Sequence, residues 1–113
     1  MNRVQFFINK LVQECSELTK DSTKLSMFGV NSYDPNDPLK KPNVQLVVEE
    51  YLDVLASFEL LIEELGVKDA IELLSNPEAQ RQYINFKKLK TMKYLELCKE
   101  IGSTFDNPVE GNS

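Results

Sequence analysis

Two short stretches carry the residues whose types and spacing could do chemistry: Gln13-Glu14-Cys15-Ser16-Glu17 and Glu49-Glu50-Tyr51-Leu52-Asp53. Each sets two carboxylates three residues apart, Glu14 with Glu17 and Glu50 with Asp53, inside a run with helical apolar spacing. Residues three apart on a helix share a face, so each pair forms a two-toothed oxygen clamp. Two clamps facing one another across a helix pair would hold a hard divalent cation such as Mg²⁺, with Mn²⁺ as a substitute. Four carboxylates converging without basic partners repel one another and shift one another's pKa, a cost that bound cations remove. Metal held in this way, with lysines nearby, suits phosphoryl or nucleotidyl chemistry: it neutralises a polyphosphate and activates water without any histidine.

The elements that must position these clamps are helices. From Val4 to Leu18 the apolar residues fall at Val4, Phe7, Ile8, Leu11, Val12, Cys15 and Leu18, the series of an amphipathic helix. At about 100° per residue the stripe centres near Leu11 and Cys15, with Glu14 on its flank and Glu17 one step further round. This helix is expected to run through Lys24 and Leu25 and stop near Gly29. Turn and breaker residues fill 30–42, a loop long enough to suggest binding, with Tyr33 and Phe28 as aromatics for a nucleobase. Phe28 packing beneath that loop is the competing reading.

Asn43 is expected to cap a second long helix whose stripe is Val47, Tyr51, Val54, Phe58, Leu61, Ile62 and Leu65, ending at Gly66. Glu50 and Asp53 stand at the same angular offset from this stripe as Glu14 and Glu17 do from theirs. Residues 67–74 read as a short third helix. Asn76-Pro77 breaks it and opens a fourth, which runs to about Ile101. No stretch alternates as a strand does. The expected fold is all-α: a four-helix bundle over residues 1–102, followed by a flexible tail at 103–113.

Composition narrows the function classes. The 113 residues suffice for one domain with an adequate core. There is no histidine, which removes His-based triads and the commonest zinc ligand. Cys15 and Cys98 are distant and read as free thiols. A net charge of −5 speaks against nucleic-acid binding by the whole surface, and no run is long enough to cross a bilayer. A soluble, cytoplasmic protein is expected. Lysines do gather late, at Lys87, Lys88, Lys90, Lys93 and Lys99, either as a solvated face or as a lining for a polyphosphate.

Glu14-Cys15-Ser16-Glu17 followed by Glu50-Tyr51-Leu52-Asp53 resembles the E-x-x-E … E-x-x-D signature of the MazG-like nucleoside triphosphate pyrophosphohydrolases, members of the all-α NTP pyrophosphatase superfamily. Lys24 and Phe28-Gly29 resemble the S-K-x-x-R-F-G segment of small phage and bacterial members, with Thr23 at the Ser position and Met27 at the Arg position. Asn43 and Glu63 also fall where that family often carries Asn and an acid or amide. The likeness runs from about Leu11 to Gly66. It departs at Gln13, where the family often has Glu, at Met27, and in the longer interval between the clamps.

The resemblance implies Mg²⁺-dependent hydrolysis of a (deoxy)nucleoside triphosphate to the monophosphate and pyrophosphate, with a purine such as dATP or dGTP by analogy with phage relatives, dUTP or dCTP as the alternative within the class and the alarmone (p)ppGpp as a third. Glu14, Glu17, Glu50 and Asp53 would bind the metal and carry the catalysis. Lys24, Phe28, Asn43, Lys87 and Lys90 would contact the nucleotide. A homodimer or homotetramer is implied, with the bundle completed by oligomerisation and without nucleic-acid or membrane partners. The competing class is a non-catalytic helical oligomer that binds other proteins and keeps its acids as a solvated face.

Overall fold

A computed structural model describes residues 1–102, and the expected tail at 103–113 lies outside the described residues. The chain is all-α within that range. α1 spans Arg3–Phe28, α2 Asn43–Leu65, α3 Glu72–Ser75 and α4 Pro77–Glu100, with a 3₁₀ turn over Lys68–Ala70. There is no strand among the described residues. These elements fall into two compact units, one ending at Leu65 and the other starting at Gly66.

The first unit is a helical hairpin. Its first helix starts at a reciprocal cap: Asn2 Oδ1 accepts from the Gln5 amide at 2.8 Å, and Gln5 Oε1 accepts from the Asn2 amide at 2.9 Å. It stops at Gly29, whose φ of 93° suits a residue without a Cβ and whose amide donates to the Leu25 carbonyl at 3.0 Å. α2 runs back antiparallel, as two ties between helix ends show. Arg3, at the start of α1, donates two hydrogen bonds to the Glu64 carboxylate at the end of α2, at 3.0 and 3.1 Å. At the other end the buried Asn43 side chain donates to the Gly29 carbonyl at 3.1 Å.

Asn43 therefore does not cap α2. It is the first residue of the helix, and the Pro42 carbonyl takes the first backbone bonds, from the Gln45 and Leu46 amides at 2.9 and 3.3 Å. The amide of Asn43 is engaged in holding the two helices together.

The seam between α1 and α2 has a period nearer three and a half than the periodicity of the apolar residues suggests. Among the covered positions are Val4, Phe7, Leu11, Glu14, Leu18, Asp21 and Leu25 on α1 and Asn43, Val47, Glu50, Val54, Ser57, Leu61 and Glu64 on α2, with Lys24, Leu46, Glu49 and Ile62 partly covered beside them. Steps alternating between three and four residues are those of paired helices that stay in contact along their length. The seam thus takes in polar residues and turns some expected core residues outward. Cys15 is exposed, and Tyr51, Phe58 and Leu65 stand in solvent at 56%, 37% and 45% exposure.

In the second unit the expected third helix is broken in two. Ile71, at φ −119° and ψ 115°, is extended and separates the 3₁₀ turn from α3. Asn76 then caps α4, its side chain accepting from the Glu78 and Ala79 amides at 3.0 and 3.2 Å, with Pro77 at the first helical position.

The Asn43 tie is directly testable. Asn43→Ala removes a buried donor and leaves the Gly29 carbonyl without it, which should cost about 1–3 kcal/mol in urea unfolding. Val44→Ala, one residue on and exposed, should cost within about 0.5 kcal/mol.

Candidate metal centre

The seam carries its charge at mid-length. Carboxylate oxygens of Glu14, from α1, and of Glu50 and Asp53, from α2, all lie within 4.8 Å of one another. This grouping brings together three of the four residues expected from the clamps. Glu17 is exposed and does not supply an atom to the trio, although its charge still acts on Glu50.

Glu50 has the least comfortable surroundings. Its Oε2 is shut off from solvent and accepts no hydrogen bond among the described residues. Burial pushes its carboxyl above the usual range, and the neighbouring charges of Asp21, Asp53, Glu14 and Glu17 push it the same way. The adjacent Glu49 is the opposite case. It accepts from Lys41 Nζ at 3.1 Å and from Gln45 Nε2 at 3.0 Å, and these bonds, Lys41's foremost, hold its carboxyl below the usual range. Two glutamates adjacent in sequence are thus driven apart by environment, one satisfied and one left short of positive charge.

Asp21 is a further carboxylate that the clamp pattern did not bring out. It is only 8% exposed, and its charge is the strongest of the four acting on Glu50. The signal was present: Glu14, Glu17 and Asp21 fall at i, i+3 and i+7 of one helix. The cations near this cluster come from α1 itself. Lys10 Nζ is 3.1 Å from Glu14, and Lys24 Nζ is 3.9 Å from Asp21. An enclosed carboxylate oxygen without a donor, amid like charges and hard oxygen groups, fits a divalent cation. The trio of Glu14, Glu50 and Asp53 would hold it.

At the loop end of the hairpin is a cavity of about 500 Å³, lined from the end of α1, the loop and the first turn of α2. Lys24, Phe28 and Asn43, all expected to meet the nucleotide, line it together with Met27, Tyr33 and Asp34. Lys24 thus serves both places, lining the cavity and facing Asp21. The Asn43 amide, committed to Gly29, gives the cavity a fixed wall. The loop above is ordered by its own carboxylates: Asp34 Oδ1 accepts from the Asn36 amide at 2.9 Å, and Asp37 accepts from the Leu39 and Lys41 amides at 2.9 and 3.0 Å. Lys87 and Lys90 stand outside this group, at exposed positions of α4 in the second unit. Gln13 is exposed on α1.

Glu50→Gln tests the strain on this centre. A carboxyl whose folded pKa is raised disfavours the fold once pH exceeds that pKa, because the charged form is penalised there. The metal-free variant should therefore be more stable than the native chain at neutral pH, and the difference should shrink as pH falls and Glu50 takes up its proton. Mg²⁺ at about a hundred times its Kd should stabilise the native protein by about 2.7 kcal/mol, and the variant by much less. Thermal unfolding at several pH values, with and without Mg²⁺, reads both effects.

Comparison of the chain with family models, with curated proteins and with solved structures finds no match, so its function is read from the side chains and the spaces between them.

Proposed function

We propose that the chain is a Mg²⁺-dependent nucleoside triphosphate pyrophosphohydrolase of the MazG-like type. The observation that carries this reading is the unpartnered Glu50 oxygen within a carboxylate cluster, on a hairpin whose loop-end cavity is lined by Lys24. Ligand cavities of small molecules span roughly 300–1,000 Å³, a range that includes this one. Bound Mg²⁺, or Mn²⁺ in its place, would polarise an attacking water and neutralise phosphate oxygens. Glu14, Glu50 and Asp53 hold the ion, and Glu17 adds negative charge beside it. Lys24 offers its ammonium to the polyphosphate. Phe28 and Tyr33 provide ring faces for the base, and Met27 gives an apolar contact where relatives of this type have a cation.

In this reading water adds to a phosphorus of the triphosphate, and the bond that breaks releases pyrophosphate and the nucleoside monophosphate. A purine deoxynucleotide such as dATP or dGTP is the proposed substrate. A homodimer or homotetramer, cytoplasmic, is the proposed working form. Supporting it, α2 presents Val48, Tyr51, Leu52 and Leu55 to solvent along one side, all between 39% and 56% exposed. No helix among the described residues is long and apolar enough to cross a membrane.

That same exposed side also favours the competing reading, a helical interaction protein without catalysis. One assay separates the two. Purified protein with Mg²⁺ and a panel of deoxynucleoside and ribonucleoside triphosphates should release pyrophosphate from a preferred base. Glu50→Gln should lose at least the roughly 10–100-fold seen for changes around metal ligands. Lys24→Met should raise KM about tenfold, the loss of one charged contact. No pyrophosphate from any nucleotide, with the folded protein binding Mg²⁺, would leave the interaction protein as the better account.

A further inference from the structure

The α1–α2 seam leaves the hairpin with two unlike sides. One residue on from each seam position, on either helix, no charged residue stands. On α2 these positions are Val44, Val48, Tyr51, Leu55, Phe58, Ile62 and Leu65, all but Ile62 between 37% and 56% exposed. On α1 they include Ile8, Val12 and Cys15, all exposed, followed by small hydroxyl residues. Because the two helices run antiparallel, a step of about 100° onward carries both sets to the same side of the hairpin. One residue back from the seam lies the other side, with Lys10, Glu17, Lys20, Lys24, Glu49 and Asp53. The charged groups face one way and an uncharged surface faces the other.

The α2 set repeats in alternating steps of four and three residues from one end of the helix to the other, the spacing by which one helix seats against another. Tyr51, Phe58 and Leu65, turned away from α1, thus belong to a second stripe. We propose that this uncharged side seats against the same side of a second copy of the chain, so that two hairpins close into a four-helix bundle. On α4 every stripe of that period is broken by a charged residue, Lys87, Lys88, Lys90, Lys93 or Glu96 among them, so α4 offers no matching surface. The uncharged side matches itself: turned onto its own copy by a two-fold axis, it opposes no like charges. Its size also suffices. A helix of the length of α2 is about 34 Å long and a pair of helices about 20 Å across, which gives roughly 700 Å² a copy. Two copies then bury roughly 1,400 Å², within the range of stable interfaces. The inference supplies the surface of the proposed oligomer and does not depend on the metal reading, because Asp53 and Glu17 stand on the opposite side.

The test is sedimentation of the full chain from low to high micromolar concentration. The native chain should pass from monomer to dimer. Leu55, halfway along the α2 stripe, is 39% exposed in the single copy, so Leu55→Lys leaves the hairpin folded, which circular dichroism checks. In the pair that change enters twice at the centre of the interface, and it should weaken the dimer about 100-fold or more. Leu60→Lys makes the same change at 47% exposure on the charged side and should leave the dimer as it is. Cys15 gives a second readout from α1, in a Cys98→Ser background. Its thiol should react several-fold more slowly in the dimer than in Leu55→Lys at the same concentration.

A native chain that stays monomeric throughout overturns the pairing, and if it still binds Mn²⁺ the metal reading survives that loss. A dimer weakened by Leu60→Lys and not by Leu55→Lys overturns it too, by moving the interface to the charged side. A monomer whose Cys15 nevertheless reacts slowly would show another segment of the same chain covering the face, and the second copy would be the wrong occupant.

Discussion

Repulsion among carboxylates at the middle of the α1–α2 seam is the constraint on which the rest of the first unit depends. A seam with a three-and-a-half-residue period ordinarily closes on apolar side chains. Here Glu14, Asp21 and Glu50 take such positions, and Asp53 and Glu17 add their charge nearby. Lys10 and Lys24 each face an acid of their own helix, so neither offsets the deficit at Glu50. Burying charge without a partner is unfavourable, and removing one member of such a group changes the others. Apolar residues of the same seam flank the acids on both sides, and the ends of the hairpin are tied by Arg3 to Glu64 at one and Asn43 to Gly29 at the other.

The contrast between Glu49 and Glu50 shows how closely environment, rather than residue type, assigns roles here. Both are glutamates on one helix, a single step apart. Lys41 and Gln45 come from the loop end and the first turn of α2 and satisfy Glu49, fixing the return of the loop onto the helix. Glu50, rotated by about 100°, faces α1 and its acids. The return of the loop onto α2 and the facing of the acids across the seam are thus set by consecutive residues. A shift of one residue in the register of α2 would exchange their surroundings and dissolve both.

Much of this was legible in the amino-acid sequence. The ends of α1, α2 and α4 followed from Gly29, Gly66 and Asn76-Pro77, because glycine and proline act through local backbone geometry that needs no tertiary context. The two carboxylate pairs were legible for a similar reason. Which members converge was not. Counting Cys15 and Tyr51 as apolar rotated both stripes toward them, whereas the seam follows Glu14, Ser57 and Glu64 and leaves those two outside. Asp21 escaped because it lies four residues beyond Glu17, outside a pattern of pairs three apart. Ile71 looked like one more helical apolar residue, and its extended backbone is a tertiary outcome that periodicity does not contain. Asn43 was the right residue at the wrong task.

The antiparallel pairing of α1 and α2 also orders events in time. Contacts in such a hairpin begin next to the connecting loop and spread outward, so the helices come together through neighbours in the chain. An ion held jointly by Glu14 and Glu50 has no binding place until the two helices already lie side by side. It therefore arrives after the folding barrier and acts on the way out. A bound cation would leave the rate of formation nearly unchanged and make the closed hairpin slow to open, giving the protein a longer lifetime without a faster birth.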